Sequence, residues 1–258
     1  MNIIDWLKLP EVKNIEGKDD VSKTLLHAKI IWRKLFLRKL YTDFYAEFKN
    51  IINASGGRLL VELGSGGGFI KNVMPDIKTS DVVLLPNIDL NLSADNMPFK
   101  DASVDGFFLL DVLHHIGEPF SFLKEAERCL KIGGKIVMIE PANTIWGRFI
   151  YKNFHHEAFN PLAGWSLKNG ENGFMANGAL PWIIFIRDNT EFAREFPGLK
   201  IKKLRFHTPL RYLISGGVSM RQLLPSFSYS LIKAIEFILA PLNRYIGMFS
   251  TIEIQKVI

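Results

Sequence analysis

A glycine-rich turn that directly follows a short apolar run is the feature that most constrains how this chain can fold. Residues 61–68 read Val-Glu-Leu-Gly-Ser-Gly-Gly-Gly and come straight after Leu59 and Leu60. A strand that ends in such a turn lets bare backbone approach a ligand closely, because glycine lacks a Cβ atom and tolerates positive φ. The pattern predicts a strand of a nucleotide-binding α/β sheet, with a flat, polar ligand at the turn.

The residues around this turn help to choose between the usual ligands, which are dinucleotides and S-adenosylmethionine. A dinucleotide fingerprint that begins at Gly64 needs a small residue at position 69, where the chain has Phe69. Glu62 lies two residues before the first glycine, where a carboxylate can accept hydrogen bonds from an α-ammonium group. Asp81 follows Glu62 by 19 positions, near the spacing at which an acid binds ribose hydroxyls in such folds. These residues favour S-adenosylmethionine, and a glycine turn without a ligand is the alternative.

Further motifs follow in a characteristic order. They are Ala94-Asp-Asn-Met-Pro-Phe99, Ser103-Val-Asp105, Leu109-Leu-Asp-Val-Leu-His-His115, a helical stretch that ends at Gly133-Gly134, and Lys135-Ile-Val-Met-Ile-Glu-Pro141. This succession resembles the class I S-adenosylmethionine-dependent methyltransferases, in particular the type 11-like group that acts on small molecules. The resemblance covers about residues 58–141.

The resemblance implies both a fold and a cofactor site. The fold would be an α/β, doubly wound, seven-stranded and mostly parallel sheet of the Rossmann-like methyltransferase type, with N-terminal helices and cap insertions. At Ser93 the family pattern has an acid, so we expect recognition of the adenine amine to shift to Asp95 or to backbone groups. The residues implied to bind S-adenosylmethionine are Glu62, Gly64, Ser65, Gly66, Gly68, Asp81, Ser93, Ala94, Asp95 and Asp111.

Hydrophobic periodicity predicts the organisation of the chain. An apolar stripe with helical spacing predicts one long helix or two in series over 22–53, within an N-terminal helical extension, 1–53. The methyltransferase domain would span 54–258, with insertions at about 142–187 and 207–248 that form a cap or lid. Strands are predicted at about 58–63, 77–81, 88–92, 104–110, 135–140, 199–206 and 249–256, and shorter helices at about 67–74, 119–130 and 188–196.

Two pairs of histidines are the candidate catalytic groups. His114 and His115 follow the fourth predicted strand, which in the resembling family points at the transferable methyl group, so an imidazole there could take a proton from a hydroxyl acceptor. His155 and His156 lie beside Glu157 in the first insertion, where they could contact the acceptor. Neighbouring histidines point apart on a helix or a strand, so we expect no metal site.

Composition and charge limit the kinds of partner and the location that we expect. The hydrophobic content of 48% can fill a large core, and the single cysteine, Cys129, excludes a disulfide within the chain and favours a cytoplasmic location. Six basic residues and no acid lie between Lys200 and Arg221, and a second basic run spans 21–42. These runs suit an anionic or lipid-like acceptor or peripheral membrane contact, although two solvated faces are the plainer interpretation. No nucleic-acid-binding module accompanies the charge.

The function predicted from these features is methyl transfer to a small molecule, most readily at a hydroxyl oxygen. A non-catalytic protein that binds S-adenosylmethionine would keep Glu62 and Asp81, yet it would lack turnover. A nicotinamide-dependent oxidoreductase would share the fold, but Phe69 and the Met-Pro-Phe element oppose it. Calorimetry with S-adenosylmethionine and NAD separates the oxidoreductase from the other two.

Overall fold

The centre of the fold is one sheet, which has seven strands over the residues that the computed structural model describes, 6–13, 19–52, 59–155, 157–167 and 176–258. In chain order the strands are β1 (Leu60–Leu63), β2 (Lys78–Asp81), β3 (Leu90–Asn91), β4 (Val104–Leu110), β5 (Leu130–Pro141), β6 (Leu199–His207) and β7 (Phe249–Lys256). Their order across the sheet is β3-β2-β1-β4-β5-β7-β6.

Strand direction confirms the predicted fold class. The first five strands run parallel, whereas β7 is antiparallel to both β5 and β6. The strand order reverses between β1 and β4, because β2 and β3 lie on one side of β1 and all later strands lie on the other. Open α/β sheets bind their ligands at the carboxyl ends of the strands beside such a reversal. The sheet therefore places the turn after β1 and the loop after β4 side by side.

Helices cover both faces of the sheet. In chain order they are α1 (Pro10–Lys13), α2 (Asp20–Arg33), α3 (Leu35–Ile52), α4 (Pro119–Cys129), α5 (Ile145–Phe154), α6 (Leu180–Trp182), α7 (Asn189–Glu195), α8 (Arg211–Ser215), α9 (Tyr229–Ile238) and α10 (Asn243–Ile246). Turns of 3₁₀-helix cover Ile70–Asn72, Leu113–His115, Ser226–Ser228 and Ala240–Leu242, and a π-helical turn covers Ile183–Arg187.

The predicted helix at 67–74 is wrong. The structure has a single 3₁₀ turn there, because the Phe69 backbone (φ −143°, ψ 36°) departs from helical geometry after the glycines and Pro75 restricts the residue before it. The N-terminal helical stretch divides in two at Lys34, whose backbone is extended (ψ 92°). The Lys34 ammonium group donates to the carbonyls of Gly217 and Met220, so a tertiary contact accompanies the break.

Alternate residues of the central strands pack into two separate cores. On one face, Phe108 and Val137 pack with the buried stripe of α3, which includes Leu37 and Phe48. On the other face, inward side chains of the same strands pack with α4, including Cys129, which is buried as expected. The N-terminal helices are thus part of the main core. Over the described residues, no helix is both long and apolar enough to cross a membrane.

Candidate active site

The glycine turn has the backbone geometry that its sequence predicts. Gly64 and Gly66 adopt φ of +65° and +49°, the left-handed region that side chains rarely occupy. A Cβ atom on Gly64 would lie 2.6 Å from the Val112 side chain, and one on Gly67 would lie 2.6 Å from the Ala28 backbone. The turn after β1 is therefore pressed between the loop after β4 and helix α2, with no space for side chains at these two glycines.

Glu62 has an incompletely satisfied carboxylate at the end of β1. The residue is buried, and its Oε2 atom has no hydrogen-bond partner among the described residues. Burial raises the pKa of Glu62 to about 8, against a smaller lowering by the Ser65 hydroxyl. A buried acceptor without a partner costs free energy unless a ligand satisfies it. The α-ammonium group of S-adenosylmethionine is the complementary donor, so this residue fits the predicted cofactor.

Asp81 ties the glycine turn to the end of β2. Its Oδ2 accepts the Gly66 amide at 2.8 Å, and its Oδ1 accepts the Val83 amide at 2.9 Å. Ser65 strengthens the same junction, since its amide donates to the Ser80 carbonyl and its hydroxyl accepts the Ser80 amide. Each carboxylate oxygen of Asp81 retains further acceptor capacity. The residue can therefore shape the turn and bind ribose hydroxyls at the same time.

The residues implied to contact adenine form one polar unit. The Ser93 hydroxyl donates to the exposed Asp95 carboxylate, and the backbone of Ser93 pairs with Asn96. Ala94 packs at the edge of the core. A charged acceptor is thus held beside the position where the family pattern has its acid, which agrees with the expected shift of adenine recognition to Asp95.

Aromatic residues of α2 and α3 cover the turn from outside the sheet. The Phe69 ring packs against Trp32, Tyr41 and Tyr45, with ring centroids 5.2, 6.4 and 5.2 Å apart. A Cβ atom on Gly68 would lie 2.3 Å from the Tyr45 hydroxyl. The N-terminal helices therefore cover the glycine turn.

A cleft opens beside the turn, on the side of β4 and β5. Residues from both insertions line it, together with residues that follow β4 and β5. Its walls include Asp111, Pro141, Tyr151, His155, Glu157, Phe159, Tyr212 and Phe249. Asp111 has φ of +62°, an unfavourable value for a residue with a side chain. Burial raises the pKa of Asp111 to about 7. We term this space the acceptor cleft.

His114 is held between two carboxylates at the edge of this cleft. Its Nδ1 lies 2.8 Å from Glu140 Oε2, and its Nε2 lies 3.3 Å from Glu157 Oε2. Glu140, at the end of β5, also accepts the backbone amides of Val112 and Leu113. This carboxylate therefore fixes both the loop after β4 and the orientation of the His114 ring.

The first insertion delivers Glu157 to this place by docking on the loop after β4. The Asn177 amide donates to the His114 carbonyl, and the Gly178 amide donates to the Ala158 carbonyl, both at 2.9 Å. His115 Nε2 lies 3.5 Å from Glu157 Oε1, and His155 Nδ1 lies 3.6 Å from Glu157 Oε2. The carboxylate is thus surrounded by three imidazoles.

Burial and the neighbouring side chains act in opposite directions on the pKa values of His114 and Glu157. Burial by itself lowers the pKa of His114, but hydrogen bonds with Glu140 and Glu157 outweigh it and raise the pKa well above the ordinary range. Burial raises the pKa of Glu157, whereas His114, His115 and His155 together hold it well below its usual range. His114 is therefore a bridging cation with both ring nitrogens engaged, which suits orientation better than proton abstraction.

The structure brings together three of the four predicted catalytic histidines, His114, His115 and His155. His156 lies outside the described residues. Sequence reasoning did not assign a role to Glu140, although an acid at the carboxyl end of a strand was a usable signal. His207, at the end of β6, lies in the core, where its ring nitrogens contact the hydroxyls of Thr208 and Thr251.

Part of the basic run between Lys200 and Arg221 lies inside the protein. Arg211 is buried and bonds to Glu236, Asp43 and the Tyr229 hydroxyl. Arg205 binds both carboxylate oxygens of Glu47. Both arginines pair with acids of the protein itself, so they are not available to bind an anionic acceptor.

Comparisons with known proteins agree with this geometry. A family model described as a methyltransferase domain matches residues 71–138. No curated protein matches the chain significantly. The match confirms the methyltransferase resemblance of this segment and agrees with the enzyme class and with the cofactor, S-adenosylmethionine, expected from the sequence.

Solved structures with a similar fold include several methyltransferases. One is geranyl diphosphate C-methyltransferase from Streptomyces coelicolor, with 15% identity, 86% of this chain and 79% of that chain covered, and a TM-score of 0.47. Another is a possible histamine N-methyltransferase from Thermotoga maritima, with 16% identity, coverages of 91% and 94%, and a TM-score of 0.47. A third is a putative methyltransferase in complex with the Trm112 activator from Haloferax volcanii, with 15% identity, coverages of 90% and 97%, and a TM-score of 0.46.

Proposed function

We propose that this protein transfers the methyl group of S-adenosylmethionine to a hydroxyl oxygen of a small molecule bound in the acceptor cleft. The observation that carries the proposal is the group of histidines and carboxylates on the cleft wall, one loop away from the glycine turn. A hydroxyl acceptor must lose a proton to a nearby group, whereas an activated carbon acid does not need one. Polar groups concentrated at this point favour the oxygen acceptor.

The cofactor would be held by residues of the turn and the neighbouring strands. Glu62 would accept from its α-ammonium group, Asp81 would bind its ribose, and Ser93 and Asp95 would receive its adenine amine. S-adenosylmethionine supplies an electrophilic methyl group when it is bound. Because Gly64 contacts Val112, the cofactor turn and the acceptor cleft share a wall, and the two ligands would lie close together. Proximity of this kind supplies much of the rate enhancement in a displacement reaction.

The walls of the cleft would position the acceptor and exclude water. Tyr151, Phe159, Tyr212 and Phe249 present large rings around the polar group. Burial raises the pKa of Tyr151 and Tyr212 well above the ordinary range, so both hydroxyls stay neutral, and that of Tyr151 already donates to the Met248 carbonyl. The carboxylate oxygens of Glu157 and the rings of His115 and His155 offer acceptor atoms to the hydroxyl group, while Glu140 orients His114. The chain's own contribution is thus orientation, desolvation and acceptance of one proton.

For the source of the acceptor, we propose an anionic lipid surface. Four side chains on and beside α9 are largely exposed: Phe227 (86%), Leu231 (63%), Phe237 (83%) and Ile238 (75%). We call them the α9 surface. The charged residues of 222–248 are Lys233, Glu236 and Arg244, and the one acid among them, Glu236, is buried against Arg211. An outward face that is apolar and basic matches an anionic membrane.

The α9 surface is connected to the cleft through α8. Helix α8 packs against α9, and its Tyr212 lines the acceptor cleft. An amphiphilic hydroxyl compound that partitions into such a surface would therefore lie near the cleft. This arrangement supports a lipid-like acceptor over a fully hydrated one.

The test is the identification of the methylated atom. The protein would be incubated with S-adenosylmethionine that carries a ¹³C-labelled methyl group and with a panel of amphiphilic alcohols, phenols, amines and enols. Carbon NMR of the products separates methoxy, N-methyl and C-methyl groups. We expect a methoxy signal, whereas an N-methyl or C-methyl product would contradict the oxygen acceptor. Calorimetric binding of the cofactor without any turnover across the panel would favour the non-catalytic alternative.

A further inference from the structure

We infer that His114, His115 and Glu157 form a binding site for one divalent transition-metal ion at the edge of the acceptor cleft. One ring nitrogen of each histidine and one carboxylate oxygen of Glu157 lie within 4.8 Å of one another. Two imidazoles and one carboxylate are a donor set that Zn²⁺ and related ions take in proteins. Binding of the metal does not depend on the proposed function.

The distances between Glu157 and the two histidines also fit ligands around one ion. Glu157 oxygens lie 3.3 Å from His114 Nε2 and 3.5 Å from His115 Nε2. Good N–H···O hydrogen bonds are about 2.7–3.2 Å long, so both contacts exceed the usual range. Two ligands that each lie about 2.1 Å from a tetrahedral ion are separated by roughly 3.4 Å. Each histidine is thus spaced from the Glu157 carboxylate as two ligands of one cation would be.

The surroundings of His114 match those of a metal ligand. Its Nδ1 hydrogen bond to Glu140 leaves the opposite nitrogen, Nε2, directed at Glu157. Histidines that bind metals commonly donate their other ring N–H to a carboxylate, which fixes the tautomer and the ring orientation. Glu140 is in turn held by the amides of Val112 and Leu113. Glu140 is therefore a positioning residue, since its oxygens are already engaged.

A site with three protein ligands leaves a position for a further ligand. Catalytic zinc sites are built in this way, with water or substrate at the fourth position. Glu157 lines the acceptor cleft, as does His155, whose Nδ1 lies 3.6 Å from Glu157 Oε2. If the proposed function holds, the open position faces the acceptor, and a metal ion there would favour the ionised form of a coordinated hydroxyl group.

The expectation of no metal site was drawn only from residues that are neighbours in the chain, such as those at 155–157. The site instead joins His114 and His115 to Glu157, about forty positions apart in the chain, and the Asn177 amide that donates to the His114 carbonyl locks the two loops together. Four of the six histidines of the chain lie in the two dipeptides at 114–115 and 155–156.

The experiment measures metal binding directly, in the absence of S-adenosylmethionine and acceptor. The full chain, treated with a chelator and then freed of it, is titrated with Co²⁺ and followed by visible absorption and by calorimetry, and Zn²⁺ is then added as a competitor. We expect one equivalent of Co²⁺, absorption bands of a low-coordinate site, and displacement by Zn²⁺. Loss of the hydroxyl-directed activity would not alter this result, so failure of the proposed function is distinguishable from failure of the metal site.

Variants assign the ligands. His115→Ala and Glu157→Gln should each weaken Co²⁺ binding at least tenfold, and Glu140→Gln, which disturbs the orientation of His114 and of the loop after β4, should weaken it about 10–100-fold. His27→Ala, which removes an imidazole on α2, should bind like the parent protein. The thermal midpoint of each variant, measured without metal, establishes folding. The inference would be overturned if the parent protein does not bind Co²⁺ stoichiometrically. It would also be overturned if His115→Ala and Glu157→Gln bind Co²⁺ as tightly as the parent does.

Discussion

The backbone of Gly64 lies against the side chain of Val112, so closely that a Cβ atom on Gly64 would come within 2.6 Å of a valine methyl group. This contact joins the turn after β1 to the loop after β4. The cofactor residues and the acceptor cleft therefore form one continuous structure, and a change at either residue should be felt at both.

Gly64→Ala should destabilise the protein through two separate effects. The left-handed φ of +65° costs a residue with a side chain about 1–2 kcal/mol, and the clash with Val112 adds to that cost. Val112→Ala added to Gly64→Ala should relieve the clash but not the backbone strain. Chemical denaturation of the two single variants and the double variant measures the interaction. Strictly additive free energies of unfolding would show that the two residues do not interact.

Glu62→Gln should raise stability and abolish cofactor binding. Burial raises the pKa of Glu62 to about 8, so the folded state holds a proton that the unfolded state releases near pH 4.3. Its contribution to stability is therefore fully present below about pH 4.3 and is lost as the pH rises towards 8. Thermal unfolding at pH 8.5 should place Glu62→Gln at least about 2–4 °C above the parent, with little difference at pH 4. Calorimetry should detect no binding of S-adenosylmethionine, and retained affinity would remove Glu62 from the site.

Asp81→Ala should weaken binding of S-adenosylmethionine by about 1.5–3 kcal/mol, the range for hydrogen bonds to charged groups. The change also frees the amides of Gly66 and Val83, so part of the loss would come from the shape of the turn. Asp81→Asn keeps one acceptor oxygen and should show a smaller effect. The check is calorimetric titration at one pH and salt concentration. Equal affinities of Asp81→Ala and the parent would refute the assignment.

Arg211→Met should strongly destabilise the protein, in contrast to Arg205→Met. Arg211 is buried and pairs with Glu236, so its removal leaves a buried carboxylate without its partner, at a cost of about 3–5 kcal/mol. Arg205 is a matched control, because its ion pair with Glu47 is partly exposed and should contribute less than about 1 kcal/mol. Urea denaturation compares the two variants. Similar losses would indicate that burial of the Arg211 pair is unimportant.

Phe227→Ser combined with Phe237→Ser should reduce binding to anionic vesicles without affecting the fold. Both side chains are more than four-fifths exposed, so the free energy of unfolding should change by no more than about 1 kcal/mol in total. Flotation with vesicles of phosphatidylglycerol and phosphatidylcholine should show binding by the parent that weakens as salt increases. Ile132→Ser, at an exposed apolar position near the start of β5, is the matched control and should bind like the parent. Absence of binding by the parent would identify the α9 surface as an ordinary exposed face.

Short-range patterns accounted for most of the fold. The predicted strand positions agree with β1 to β7, and the stripe that includes Leu37 and Phe48 is buried, because alternation and helical spacing report directly which side chains face a core. The helix expected at 67–74 failed because the conformations of the glycines and the restriction before Pro75 outweighed its apolar residues. Local conformational limits override periodicity in a segment this short.

The sequence indicated some residues of the candidate site, whereas others were recognised only in the structure. Glu62 and Asp81 could be proposed from the sequence because their spacing relative to the glycines is fixed by the short connection between β1 and β2. Glu140 was missed because its role depends on the pairing of β4 with β5, which sets Leu110 opposite Ile139 and so brings the loop after β4 beside Glu140. The internal position of Arg211 was also missed, since its partners Asp43 and Glu236 come from helices distant in the chain.

The sequence by itself determined the strands of the sheet, the glycine turn and the positions of Glu62 and Asp81 beside it, because each depends on residues within about twenty positions of one another. Tertiary structure decided which polar side chains come together at the edge of the cleft. Only the docking of the first insertion, through the Asn177 amide and the His114 carbonyl, brings Glu157 between His114 and His115. Contacts between segments forty residues apart are selected by packing and hydrogen bonding of the whole chain, and no local pattern of residues encodes them.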